Sequence, residues 1–123
     1  MTKDFFRNKI NPYFASICES STQILHLPIK NKPFNPFKFT NYQLKRKKHP
    51  GAVDESLRSL VKCYSYVKNP WAYANAIVTK TSGMYYERQH ITKHETVLQE
   101  FKTFVDNSSK IQELTRNIGN IWL

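Results

Sequence analysis

Three Asn-Pro pairs punctuate the chain, Asn11-Pro12, Asn35-Pro36 and Asn69-Pro70, and each precedes an apolar pattern of helical period. Asn caps a helix well, and Pro is favoured at the first helical position, where its missing N–H costs nothing. After Pro12, Tyr13, Phe14, Ile17 and Cys18 recur on one face, and Ile24, Leu25 and Leu27 can extend it. After Pro36, Phe37, Asn41 and Leu44 align, and the run Lys45-Arg46-Lys47-Lys48 supplies the cations that suit a helix C-terminus. His49-Pro50-Gly51 then interrupts the pattern. The strongest helical signal spans 52–66, where Val53, Leu57, Leu60, Val61 and Tyr64 share a face and Asp54 and Glu55 fall in the expected first turn.

After Pro70, Tyr73 with Ile77 and Ala74 with Val78 predict another helix, with Thr81-Ser82-Gly83 as its expected end. Thr92-Lys93-His94-Glu95 reads as a capping box opening a helix with Val97, Leu98, Phe101, Phe104 and Val105 on one side. Ser109-Lys110-Ile111-Gln112 reads as a second box, followed by Ile111, Leu114, Ile118 and Ile121. Residues 28–34 carry Pro28 and Pro33 and read as an extended linker, because the residue before a Pro is pushed out of the helical region. The expected fold is therefore all-α, a small single-domain bundle of five or six helices over 1–123, with no strand expected.

Charge changes this picture by giving it sides. The chain of 123 residues has a formal net charge of +10, and 40% of its residues are hydrophobic, too many for an unfolded polyelectrolyte. Residues 20–86 carry eleven cations against Asp54 and Glu55 alone, a net +9, whereas 87–123 are neutral. A basic segment (35–86) thus precedes near-neutral C-terminal helices (87–123), and charge confined in this way suits a polyanion partner.

Other classes find little support. The first twenty residues hold Lys3, Asp4, Arg7, Lys9 and Glu19 with no apolar run, so no secretory signal is expected and the expected location is the cytoplasm. No stretch approaches the ~20 apolar residues of a membrane span. Cys18 and Cys63 form no CxxC unit and read as reduced core residues. The glycines are too scattered for a phosphate loop, and no nucleophile motif is present. Glu87, His90, His94 and Glu95 are the only cluster of metal-ligand types. The expected cap Thr92 stands between the histidines, so these read as surface and capping residues. His26 and His49 read as isolated. No enzyme activity, metal or cofactor is expected.

The binding signal is stronger. Phe34, Phe37, Phe39 and Tyr42 interleave with Lys38 and the run Lys45-Arg46-Lys47-Lys48. Lysines neutralise phosphates, and an exposed ring can stack on an unpaired base. Phe37 belongs to the core by its alignment with Leu44, which leaves Tyr42 as the expected exposed ring. Lys30, Lys32, Lys38, Tyr42, Lys45, Arg46, Lys47, Lys48, Arg58, Lys62 and Lys68 are the candidate nucleic-acid-binding residues. Arg58 and Lys62, four apart, are expected to extend the stripe. With Arg46 the only Arg in its run, contacts to the backbone are expected to outweigh base reading. DNA is favoured over RNA as the partner, and the C-terminal helices are candidates for a protein partner. An RNA-binding ribosomal or RNP protein, and an adaptor or inhibitor docking on an acidic protein, are the alternatives.

From His49 to about Phe104, a short amphipathic helix leads through Lys68-Asn69-Pro70 to Trp71-Ala72-Tyr73-Ala74-Asn75-Ala76-Ile77-Val78. This Asn-Pro-x-x-Tyr-x-x-x-Ile order resembles the DnaD-type helical domain of bacterial and phage primosome and helicase-loading proteins. The family has a Trp eight residues after the Tyr, a position held here by Thr81. The resemblance implies a small helical domain that binds DNA and helicase-loading partners.

Overall fold

A computed structural model describes residues 12–28, 33–88, 94–109 and 111–113. Among them the chain is an all-α bundle without strands, built from α1 (Tyr13–Leu25), α2 (Pro36–Lys45), α3 (Pro50–Cys63), α4 (Pro70–Arg88) and α5 (His94–Asp106), with a 3-10 turn at Tyr64–Tyr66. None of these helices is long and apolar enough to cross a membrane.

The Asn-Pro signals work through their side chains. Asn35 Oδ1 accepts from the Phe37 and Lys38 N–H groups (both 3.1 Å), with Pro36 in the first turn. Asn69 Oδ1 accepts from Ala72 N–H at 3.2 Å ahead of α4. Asn11 lies outside the described residues. α3 starts earlier than its apolar pattern: His49 is its cap, Pro50 and Gly51 are helical, and no acid lies in the first turn. Asp54 and Glu55 therefore act through side-chain partners rather than through the helix dipole. Asp54 faces Arg58 (3.3 Å), and Glu55 accepts from the Tyr85 hydroxyl (2.9 Å).

α4 does not stop at Gly83 but continues to Arg88. A mid-helix Gly costs about 1 kcal/mol relative to Ala. Tertiary contacts outweigh that cost. Ser82 Oγ accepts from the His49 N–H at 2.9 Å, and the Tyr85 and Tyr86 rings pack on His49. Beyond α5, residues 109 and 111–113 are helical, and Gln112 N–H donates to Ser108 O at 2.9 Å. The start thus lies one residue before the expected Ser109 cap. Thr92, Leu114, Ile118 and Ile121 fall outside the described residues.

α3 is the hub. It packs against α1 on one side and α4 on the other, while α2 touches α1, α3 and α5. Phe14, Ile17, Phe37, Phe39, Leu44, Val53, Leu57, Leu60, Ala74, Val78 and Phe101 are among the core residues. Each large apolar side chain buried this way contributes about 1.5–3 kcal/mol by transfer from water. On α4 the buried apolar positions are Ala74 and Val78, while Tyr73 is half-buried with its hydroxyl against Ser59 Oγ (2.9 Å). Cys18 is buried, Cys63 half-buried, and both are free thiols. The expected free linker ends sooner than its prolines imply, because Phe34 is buried and its ring lies 5.4 Å from that of Phe39.

Candidate nucleic-acid interface

α2 is an unusual surface helix, because almost all of it is inside. Pro36, Phe37, Phe39, Thr40, Asn41, Gln43 and Leu44 are buried. Only Lys38, Tyr42 and Lys45 are exposed. Those positions are i, i+4 and i+7, so they form one stripe along the helix. The helix thus presents solvent with two cations flanking one ring, and Arg46 follows directly at its C-cap. Tyr42 is 41% exposed.

That ring is braced from both sides. Trp71 of α4 meets it at 5.4 Å between centroids, and Phe39 meets Trp71 edge-on at 5.0 Å. The Arg46 guanidinium lies 5.3 Å from the Tyr42 centroid and donates to its hydroxyl at 3.3 Å. A chain of rings therefore runs from the buried Phe34 and Phe39 through Trp71 to Tyr42 at the surface. Lys68 is exposed three residues before Trp71, next to the start of α4.

The cation run ends α2 in a defined turn. Lys47 N–H donates to Leu44 O (3.0 Å) and Lys48 N–H to Gln43 O (3.1 Å), the paired bonds of a Schellman cap. The cap requires a left-handed residue, and Lys47 takes it with φ 64°. Glycine is the usual occupant; a side chain there costs about 1–2 kcal/mol. The Tyr86 hydroxyl donates to the Lys47 carbonyl at 2.6 Å, and Gln43 Nε2 donates to Asn75 Oδ1 at 2.8 Å. With the His49 to Ser82 bond, α4 holds the end of α2 and the turn at several points along its length.

His49, far from isolated, sits at the centre of this arrangement. It is fully buried. Its Nδ1 accepts from the Gly51 N–H at 2.8 Å, so that nitrogen carries no proton. Its ring stacks on Tyr85 (5.1 Å, 23°) and meets Tyr13 and Tyr86 edge-on. Gly51 permits this, since a Cβ there would come within 2.5 Å of the Tyr85 ring. Burial raises the Tyr85 and Tyr86 phenols to about 12, with the Glu55 acceptor adding to Tyr85, so both remain proton donors at neutral pH.

The structure divides the sequence-derived candidates. Lys38, Tyr42, Lys45 and Arg46 share the α2 surface, Lys47 and Lys48 follow in the turn, and Lys68 is exposed just ahead of α4. Arg58 and Lys62 lie on α3. They occupy the side of α3 away from Val53, Leu57 and Leu60 and line a groove with Ser16, Glu19 and Gln23 of α1. Arg58 is further committed to Asp54, the only ion pair among the described residues. Lys30, Lys32 and His90 lie outside the described residues.

Sequence reasoning found only Val78 of the supporting face of α4, formed by Trp71, Asn75, Val78, Ser82 and Tyr86. These fall at i, i+4, i+7, i+11 and i+15, a single helical face. It becomes visible once the helix is continued through Gly83. No protein-family model, curated protein or solved structure matches the chain.

Proposed function

We propose that the chain is a small, non-enzymatic nucleic-acid-binding accessory protein. It docks on a phosphate backbone through Lys38, Lys45, Arg46, Lys47, Lys48 and Lys68, with Tyr42 offering a ring to an unpaired base. The observation that carries this reading is the composition of the α2 stripe. A helix buried on every other side exposes only cations and one aromatic, and none of those cations meets a carboxylate among the described residues. Such a cluster repels itself in the free protein and gains by releasing counterions from a polyanion. Lysine-dominated contacts position a backbone without reading its sequence, so specificity is weak. Arg46, the residue best suited to a guanine edge, is drawn toward the Tyr42 hydroxyl instead. The resemblance of residues 49–104 to the DnaD-type domain supports replication as the setting and DNA as the polyanion.

The test is a titration of the purified protein with matched single-stranded DNA, duplex DNA and structured RNA at several salt concentrations. Affinity is expected to fall steeply with salt, and DNA is expected to bind at least as well as RNA. Replacing Lys45, Arg46, Lys47 and Lys48 together by Ala is expected to flatten the slope of log affinity against log salt by about 3, since each phosphate contact contributes about 0.7–0.9. Tighter binding to RNA would move the reading to an RNP. Absence of any shift at low salt would leave an acidic protein as the partner.

A further inference from the structure

The binding surface has a structural oddity that charge alone does not explain. The residue at the left-handed position of the α2 cap is Lys47, where glycine would be free of strain. A turn serving only to reverse the chain has no use for a strained lysine. A turn serving to present consecutive cations does, because a glycine there would remove one of them. Strain held at one position by its surroundings is a mark of functional sites, and here the surroundings are identifiable. The local cap bonds hold the Lys47 and Lys48 N–H groups. The Lys47 carbonyl has a partner 39 residues away, the Tyr86 hydroxyl, at 2.6 Å.

We propose that Tyr86 is the positioning residue of the polyanion site. Its phenol holds the Lys47 carbonyl and so keeps the left-handed turn that fans Lys45, Arg46, Lys47 and Lys48 toward one ligand. The inference rests on the polyanion reading and goes beyond it, since Tyr86 need not touch the nucleic acid. Its contribution is preorganisation, ordering the turn before binding rather than during it. Two consequences separate it from a contact residue and from a packing residue. Removing the hydroxyl leaves every cation in place, so affinity falls while the salt slope stays the same. The effect also depends on residue 47, because glycine adopts the turn without strain and makes the clamp dispensable.

A double-mutant cycle with Tyr86→Phe and Lys47→Gly tests this, using a mixed-sequence DNA oligonucleotide across a salt series. Tyr86→Phe in the otherwise unaltered protein is expected to weaken binding about fivefold, the effect of one ordinary hydrogen bond, at unchanged slope. In the protein already carrying Lys47→Gly, the same change is expected to weaken binding less than about twofold. Equal loss in both backgrounds would overturn the proposal, because the hydroxyl would then act independently of the strain at residue 47. No loss in either would overturn it too. In both those cases, a steep slope for the unaltered protein still upholds the polyanion reading. An unaltered protein that fails to bind any nucleic acid at low salt overturns that reading and the clamp with it.

Discussion

Two sets of cations of the same segment meet opposite fates. On α2 and its turn, Lys38, Lys45, Arg46 and Lys47 are exposed, with Tyr42 among them and no ion pair to a carboxylate among the described residues. On α3, Arg58 and Lys62 border a groove shared with Glu19, and Arg58 pairs with an Asp54 side chain that is only 6% exposed. In the sequence both sets belong to one +9 stretch. Folding sorts them by what lies opposite: the α3 cation satisfies a buried acid, while the α2 cations pair with no carboxylate among the described residues. A positive residue therefore carries functional meaning through its neighbours, and net charge locates a candidate surface only after those neighbours are known.

The contrast can be broken first at its foundation. Gly51→Ala drives a methyl into the Tyr85 ring beneath the basic turn. It is expected to lower stability by about 3 kcal/mol, near the upper end of overpacking costs, read as a drop in the denaturation midpoint. Next comes the α3 side. Arg58→Ala leaves the buried Asp54 without its ion pair and is expected to cost about 1–2 kcal/mol. Lys45→Ala, on the α2 stripe, is expected to stay within about 0.5 kcal/mol of the parent. Equal costs at the two sites would erase the distinction. Gly83→Ala has open space around it and is expected to stabilise α4 by about 0.5–1 kcal/mol.

The smallest effect concerns alkaline pH. Tyr85 and Tyr86 are raised by burial from 10 to about 12, so the folded state holds their protons more tightly than the unfolded state. The stability they contribute is whole below pH 10 and is lost as pH rises from 10 through 12. Cys18, raised by burial from 9 to about 12, acts in the same direction from a lower starting pH. Alkaline denaturation of the Tyr86→Phe protein should show a shallower decline than the parent over that range.

Much of the fold was legible because the signals were local. The Asn35 and Asn69 caps, and the faces built on Leu57 and Phe101, follow from spacing and cap chemistry alone. The misreadings share one cause: a tertiary contact overrode a local preference. Gly83 did not end α4, because Ser82 and Tyr85 engage His49 across the bundle. His-Pro-Gly looked like a break, yet it is a capped helix start whose glycine admits a tyrosine ring. For the candidate interface, the exposure of Tyr42 was readable from helical phase. That Arg58 answers Asp54 one turn away was also within reach of an i, i+4 reading. The Tyr86 clamp on Lys47 was not, since nothing in the sequence links positions 39 apart.

If the two cation sets differ in purpose, the salt dependence of DNA binding separates them. DNA affinity is determined across a salt series for the parent, for the protein with Lys45, Arg46, Lys47 and Lys48 replaced by Ala, and for the protein with Arg58 and Lys62 replaced by Ala. The slope is expected to flatten by about 3 in the first variant and to stay unchanged in the second, each phosphate contact counting for about 0.7–0.9. A slope that flattens with Arg58 and Lys62 and holds without the α2 turn would contradict it.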